Sequence, residues 1–190
     1  MKIKAIILSL AVGATLLVGC GAKKEATPAP AKTETVAPAT TKTDVVTTAS
    51  LVNTEAAFEN GISSKGTWII ATLKDLAINK ELVVEGEFKN GKKDASGKEL
   101  IQRKIALYTQ DEKHVITARF TLTAPKLTFK SPMGSIEHGT FKGDLYVSAS
   151  NFQLKDATVE GNVYFTTAEA KSTFKMDDKS KVTGVQELKK

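Results

Sequence analysis

Apolar and polar residues alternate in short bursts over the last two-thirds of this chain. The stretches are LAINKELVVEGEF (76–88), VITARFTLTAPKLTF (115–129), GTFKGDLYVSA (139–149), FQLKDATVEGNVYF (152–165) and STFKMDDKSKVTG (172–184). In each, Val, Ile, Leu, Phe and Thr return at every second position, the period of a strand with one buried face. Helix is expected at NTEAAFENG (53–61), where Asn53 or Thr54 supplies a cap and Gly61 a stop. Glycines interrupt several of the alternating stretches, although glycine weakens a strand interior.

The interruptions follow a pattern. An apolar pair spaced i, i+2 leads through a polar turn to an apolar residue two positions before a glycine. Leu76 and Ile78 lead to Val84 and Gly86, and Leu127 and Phe129 lead to Phe141 and Gly143. Phe152 and Leu154 lead to Val159 and Gly161, and Phe174 and Met176 lead to Val182 and Gly184. The glycines are 57, 18 and 23 residues apart, and 57 is about three units of 19. A repeat near 20 residues predicts an all-β, single-domain parallel β-solenoid (β-helix) over 51–190, with 53–61 as a short N-terminal capping helix. A β-sandwich is the alternative; it gives alternating strands without a recurring strand–turn–strand–glycine unit. In the solenoid, Gly86, Gly143, Gly161 and Gly184 are structural, marking points where the chain bends or approaches its neighbour closely.

The N-terminal part has a different texture. Lys2 and Lys4 precede an uncharged, mostly apolar run, AIILSLAVGATLLVG (5–19), shorter than the roughly 20 residues that span a bilayer. It ends in LVGC, and Cys20 is the only cysteine of the chain, so no disulfide framework is available. The LVGC stretch resembles the lipobox of bacterial lipoprotein signals. The resemblance implies a signal peptide over 1–19, cleaved before Cys20, and a diacylglyceryl group on the Cys20 thiol. Two acyl chains suffice for stable anchoring where one does not. The implied location is the extracytoplasmic face of the cell membrane, anchored by lipid and not spanning. Residues 20–50 then read as the lipidated cysteine and a disordered Thr/Ala/Pro-rich tether, holding three of the five prolines and no aromatic residue.

The V-x-G-x-V-type units at 82–88, 141–147 and 157–165 resemble those of the bactofilin-like, polymer-forming right-handed β-helix domains. This implies a β-helix and suggests self-assembly, although those proteins are mostly cytoplasmic and this chain carries an export signal. The whole layout also resembles uncharacterised lipoproteins of Gram-positive bacteria.

Charge alters the picture little. The chain carries +6, of which about +3 falls on the domain with lysines and acids interspersed. No basic cluster is interleaved with aromatics, which argues against a nucleic-acid partner. His114 and His138 have no second ligand at metal spacing and are expected as exposed loop residues, and Asp177-Asp178 is expected in a turn. Neither a metal nor a cofactor is expected. The chain lacks G-x-S-x-G, P-loop and dinucleotide motifs. Arg103 and Arg119 are its only arginines, and Glu85, Glu137 and Glu160 occupy outward strand positions. No catalytic residue is assigned. Tyr146 and Tyr164, each three after a repeat glycine, should stack outward on adjacent coils, as candidates for ligand binding or self-assembly. Trp68 is expected in the core or cap. The expected function is a non-catalytic envelope module, structural or for binding and assembly, with the membrane, a second copy or cell-wall glycan as partner. The alternative is a polysaccharide-binding module or carbohydrate-active enzyme.

Overall fold

The computed structural model describes residues 50–189. Strand β1 (Ser50–Val52) is followed by helix α1 (Glu55–Ile62) and by β2 (Ile69–Thr72), β3 (Leu76–Ala77) and β4 (Leu82–Val84). An antiparallel hairpin, β5 (Lys89–Lys93) and β6 (Glu99–Ile101), precedes β7 (Arg103–Ala106). A second antiparallel pair, β8 (Tyr108–Gln110) and β9 (Ile116–Arg119), precedes the long strand β10 (Thr121–Phe129). Then come β11 (Gly134–Glu137), β12 (Thr140–Val147), β13 (Gln153–Lys155), β14 (Thr158–Glu160) and β15 (Val163–Phe165). Helix α2 (Ala168–Thr173) and strands β16 (Lys175–Met176), β17 (Lys181–Val182) and β18 (Gln186–Leu188) complete the described chain.

Two sheets carry the domain, and every pairing within them is parallel. The first runs β1-β2-β7-β11-β13-β16. The second runs β3-β10-β12-β14-β17 along one half, with β4, β15 and β18 joining it along the other. A strand meander would pair its neighbours antiparallel. Here the chain instead makes successive passes, each adding strands to both sheets.

Register explains the alternation. Ile70, Ile105, Ile136, Leu154 and Met176 form one inward column. Leu76, Leu122, Phe141, Val159 and Val182 form a second, and Val84, Phe129, Val147, Phe165 and Leu188 a third. All but the last-pass members of these columns are buried in one continuous core. Between the third and fourth passes the step is 18 residues, as in Ile136 to Leu154 or Phe141 to Val159. Longer steps coincide with the two hairpins and with α2.

The glycine column is shorter than the sequence pattern implies. Gly143, Gly161 and Gly184 follow Phe141, Val159 and Val182 and stack at one bend of the second sheet. Gly143 (φ 140°) faces a two-residue bulge, Ala124-Pro125, which suits a residue without an amide hydrogen. A Cβ on Gly143 would lie 1.8 Å from the Ala124 carbonyl oxygen, and one on Gly161 (φ 156°) 2.1 Å from that of Gly143. Gly86 does not belong to this column. Val84 pairs with Phe129, four positions later in the pass than the glycine bend, and Gly86 lies against Phe88 and Ser64. The apolar pairs need the same correction. Leu76 aligns with Phe141 rather than with Phe152, and Ile136, not Phe129, precedes Phe141 in its pass. Both errors arise because inserted hairpins stretch the early passes.

Helix α1 closes the N-terminal end of the core. The Thr54 hydroxyl caps it by accepting from the Ala57 amide at 3.2 Å, and Phe58 and Ile62 are buried. The helix runs past Gly61 to Ile62, so that glycine is not its stop. Arg103, fully buried, fastens the helix end to the sheets. Its guanidinium donates to the carbonyl oxygens of Gly61 at 2.9 Å, Ser63 at 2.8 Å and Thr67, and lies 4.1 Å from the Phe88 ring centroid. Carbonyls at a helix C-terminus carry partial negative charge, so the cation is solvated by backbone dipoles. Burial lowers its pKa to about 10, which leaves it charged at neutral pH.

Candidate functional site: a groove beside the first sheet

The outer face of a parallel sheet normally meets water or a helix. Here a groove lies between the first sheet's outer face and hairpin β5–β6. The residues that line its floor follow from register. Lys104, Ser135 and Gln153 align on one outward column, and Ala106, Glu137 and Lys155 on the next but one. The hairpin supplies Asn90, Gly91 and Lys92, Gln102 follows it, and Trp68 lines the same space. A cavity of about 340 Å³ lies here. A smaller one of about 180 Å³, bordered by Leu100 and Met133, adjoins it through Asn90, Gln102 and Lys155, which line both.

Charge is concentrated on the floor. The Lys104 and Glu137 side chains are 6% and 8% exposed, and Lys104 Nζ lies 3.3 Å from Glu137 Oε2. Lys155, 43% exposed, brings its ammonium to 3.3 Å from Glu137 Oε1, and the Ser135 hydroxyl donates to the same oxygen at 2.9 Å. Both carboxylate oxygens are therefore satisfied, which a buried charge requires. Two ammoniums share one carboxylate, so the floor keeps an excess of positive charge. Lys104 also lies 5.9 Å from the Trp68 ring centroid and 3.5 Å from the Tyr108 hydroxyl. The hairpin wall is braced by a hydrogen bond from Asn90 Nδ2 to Gln102 Oε1 at 2.9 Å.

A second cluster ties strand β9 to the sheets. Arg119 Nη2 lies 2.5 Å from Asp156 Oδ2, and His138 Nδ1 lies 3.0 Å from the same oxygen. The Arg119 guanidinium first, and His138 second, hold the Asp156 carboxyl below the usual carboxylate range. The Tyr108 ring meets His138 edge-on at 4.6 Å. His138 is thus half-buried and bonded to a carboxylate, not an exposed loop residue. His114 is exposed as expected, 2.6 Å from Gln110 Nε2.

The paired tyrosines stand where the repeat places them. Tyr146 and Tyr164 are direct partners on β12 and β15, half-buried, with ring centroids 5.0 Å apart at 47°. Lysines cover them. Lys189 lies 4.2 Å from the Tyr164 centroid and donates to the Tyr146 hydroxyl at 3.2 Å, while Lys126 lies 4.8 Å from the Tyr146 centroid. The rings serve to hold neighbouring strands and seat cations. Asp177 is in a turn, accepting from the Ser180 hydroxyl at 2.6 Å. Glu160 is exposed and paired with Lys142, whereas Glu137, also on an outward position, is buried in the groove floor. Trp68 is half-buried: it packs against a small buried cluster of Ile69, Ala71, Ala106 and Tyr108 and also lines the groove. The lipidation candidate Cys20 lies outside the described residues. Among the described residues no group of three or more His, Cys, Asp or Glu could hold a metal, and no helix is long and apolar enough to cross a membrane.

No family model matches the chain, and no curated protein or solved structure matches it either. The groove residues Trp68, Asn90, Gln102, Lys104 and Lys155 are not prominent in the sequence pattern. One signal points to them. Ile70 and Ile105 are 35 residues apart where the shortest pass, Ile136 to Leu154, needs 18, and most of the surplus is the hairpin that walls the groove.

Proposed function

We propose that this chain is a lipid-anchored extracytoplasmic lipoprotein whose domain is a β-solenoid, serving as a non-catalytic binding module of the cell envelope. The solenoid reading is supported by the successive parallel passes, the 18-residue step and the common glycine bend. The anchor is supported by LVGC and by the single Cys20. One observation carries the binding role: an open groove whose floor holds a near-buried Lys104–Glu137 pair, with Trp68 in its lining. Clefts with an aromatic wall and a few fixed polar groups are where ligands bind. Cell fractionation tests the anchor. The protein should sediment with membranes, and Cys20→Ala should abolish that attachment; a variant that still sediments contradicts the proposal.

A second reading, assembly with other copies, is favoured by the C-terminal end of the stack. Among the described residues β16, β17 and β18 each have one edge without a partner strand, and the inward-column residues Met176 and Leu188 are 42% and 40% exposed. Unpaired edges are templates for further strands. Electron microscopy of the purified full chain over a concentration series should show end-to-end assemblies; uniform single particles at the highest concentration remove this reading.

A further inference from the structure

We propose that the groove binds an acidic saccharide, taking its carboxylate on the ammoniums of Lys155 and Lys104 and a sugar ring against Trp68. This inference rests on the reading of the domain as an extracytoplasmic binding module and names the ligand class of that site.

Charge selects an anion. Two lysines converge on the single carboxylate of Glu137 at 3.3 Å each, and Lys92 adds a third ammonium at the hairpin wall. Lys155 is 43% exposed, so its ammonium can meet a ligand carboxylate without breaking the buried half of the triad. A purely apolar ligand would strip water from these charges and return nothing.

The remaining lining selects hydroxyl groups around that anion. Asn90, Gln102 and Gln153 present amides, which both donate and accept, as sugar hydroxyls demand. The indole of Trp68, packed on one side against the Ile69, Ala71, Ala106 and Tyr108 cluster, lines the cavity and adds apolar surface for the C–H face of a pyranose. A polyphosphate or nucleic-acid strand would set a run of anions across the floor, and one of them would meet Glu137. A saccharide with spaced carboxylates can straddle it. The cavity of about 340 Å³ is the size of a small-ligand site, and the adjoining one extends it beneath Leu100 and Met133.

Isothermal titration of the full-length protein in detergent tests the proposal. The acidic probes are trigalacturonate and a hyaluronan tetrasaccharide. The control is the methyl-esterified trigalacturonate, which keeps the rings and loses the charge. At least one acidic probe should bind, and the ester should bind about tenfold more weakly or less, the loss of one charge-assisted contact. Lys155→Gln should weaken acidic binding by about tenfold with an unchanged thermal midpoint, since Lys155 is the exposed member of the triad. Trp68→Ala should weaken acid and ester alike, and Trp68→Phe serves where the alanine variant does not fold. Inorganic phosphate at the saccharide's concentration should not displace it. Silence from both acidic probes, equal affinity for acid and ester, or an unaffected Lys155→Gln variant would overturn the proposal. Membrane attachment through Cys20 reads separately. Attachment with no saccharide binding removes the ligand class alone; binding with no attachment removes the anchor alone.

Discussion

A single atom decides what residue 161 can be. The Gly161 Cα lies against the Gly143 carbonyl, and a methyl group there would sit 2.1 Å from that oxygen on a backbone with φ 156°. Gly161→Ala should therefore force two passes apart and cost about 2–4 kcal/mol, read as a fall in the urea midpoint. Gly97→Ala is the control. That residue also has positive φ, at 85°, but nothing lies within 4 Å, so its cost should stay near 1 kcal/mol. Asp156 provides a pH test. Its pKa is lowered by Arg119 and His138, so its contribution is complete above the unfolded value of about 3.9 and is lost as pH falls through the folded value. Stability of the parent chain should exceed that of Asp156→Asn at pH 6, and the gap should close on titration below pH 4. A gap that widens in acid would contradict the Arg119–Asp156 tie.

At the scale of elements, the important join is between α1 and the sheets. Arg103 donates to the carbonyls of Gly61 and Ser63 at the end of that helix and of Thr67 just before β2. Arg103→Met should leave those carbonyls buried and unsatisfied, costing about 3–5 kcal/mol. Hydrogen exchange should locate the loss in α1 and β2 first; protection retained there would refute the fastening role. Much at this scale was legible in the sequence. A helix cap at Asn53 or Thr54, the strands of 139–149 and 152–165, and the Gly143–Gly161–Gly184 spacing all follow from local chemistry and period. Gly86 was misplaced because V-x-G is too short a signal to carry register across two inserted hairpins. The buried state of Glu137 was not legible either. Alternation correctly puts it on the outer face, but only the hairpin that returns over that face buries it.

For the whole molecule, we propose a lipid anchor at Cys20 ahead of a stack of parallel strands whose first sheet bears a groove on its outer face. The described domain is built on inward columns of Ile, Leu, Val and Phe, while the proposed export and lipidation rest on Lys2 and Lys4, the apolar run 5–19 and Cys20, the only cysteine. The ligand proposed for the groove depends on the proposed extracytoplasmic location, where envelope saccharides are found. Mass spectrometry of the mature N-terminal peptide tests this most directly. The account predicts a peptide beginning at Cys20 whose mass includes a diacylglyceryl group. A peptide that begins elsewhere, or a Cys20 carrying a free thiol, would contradict it.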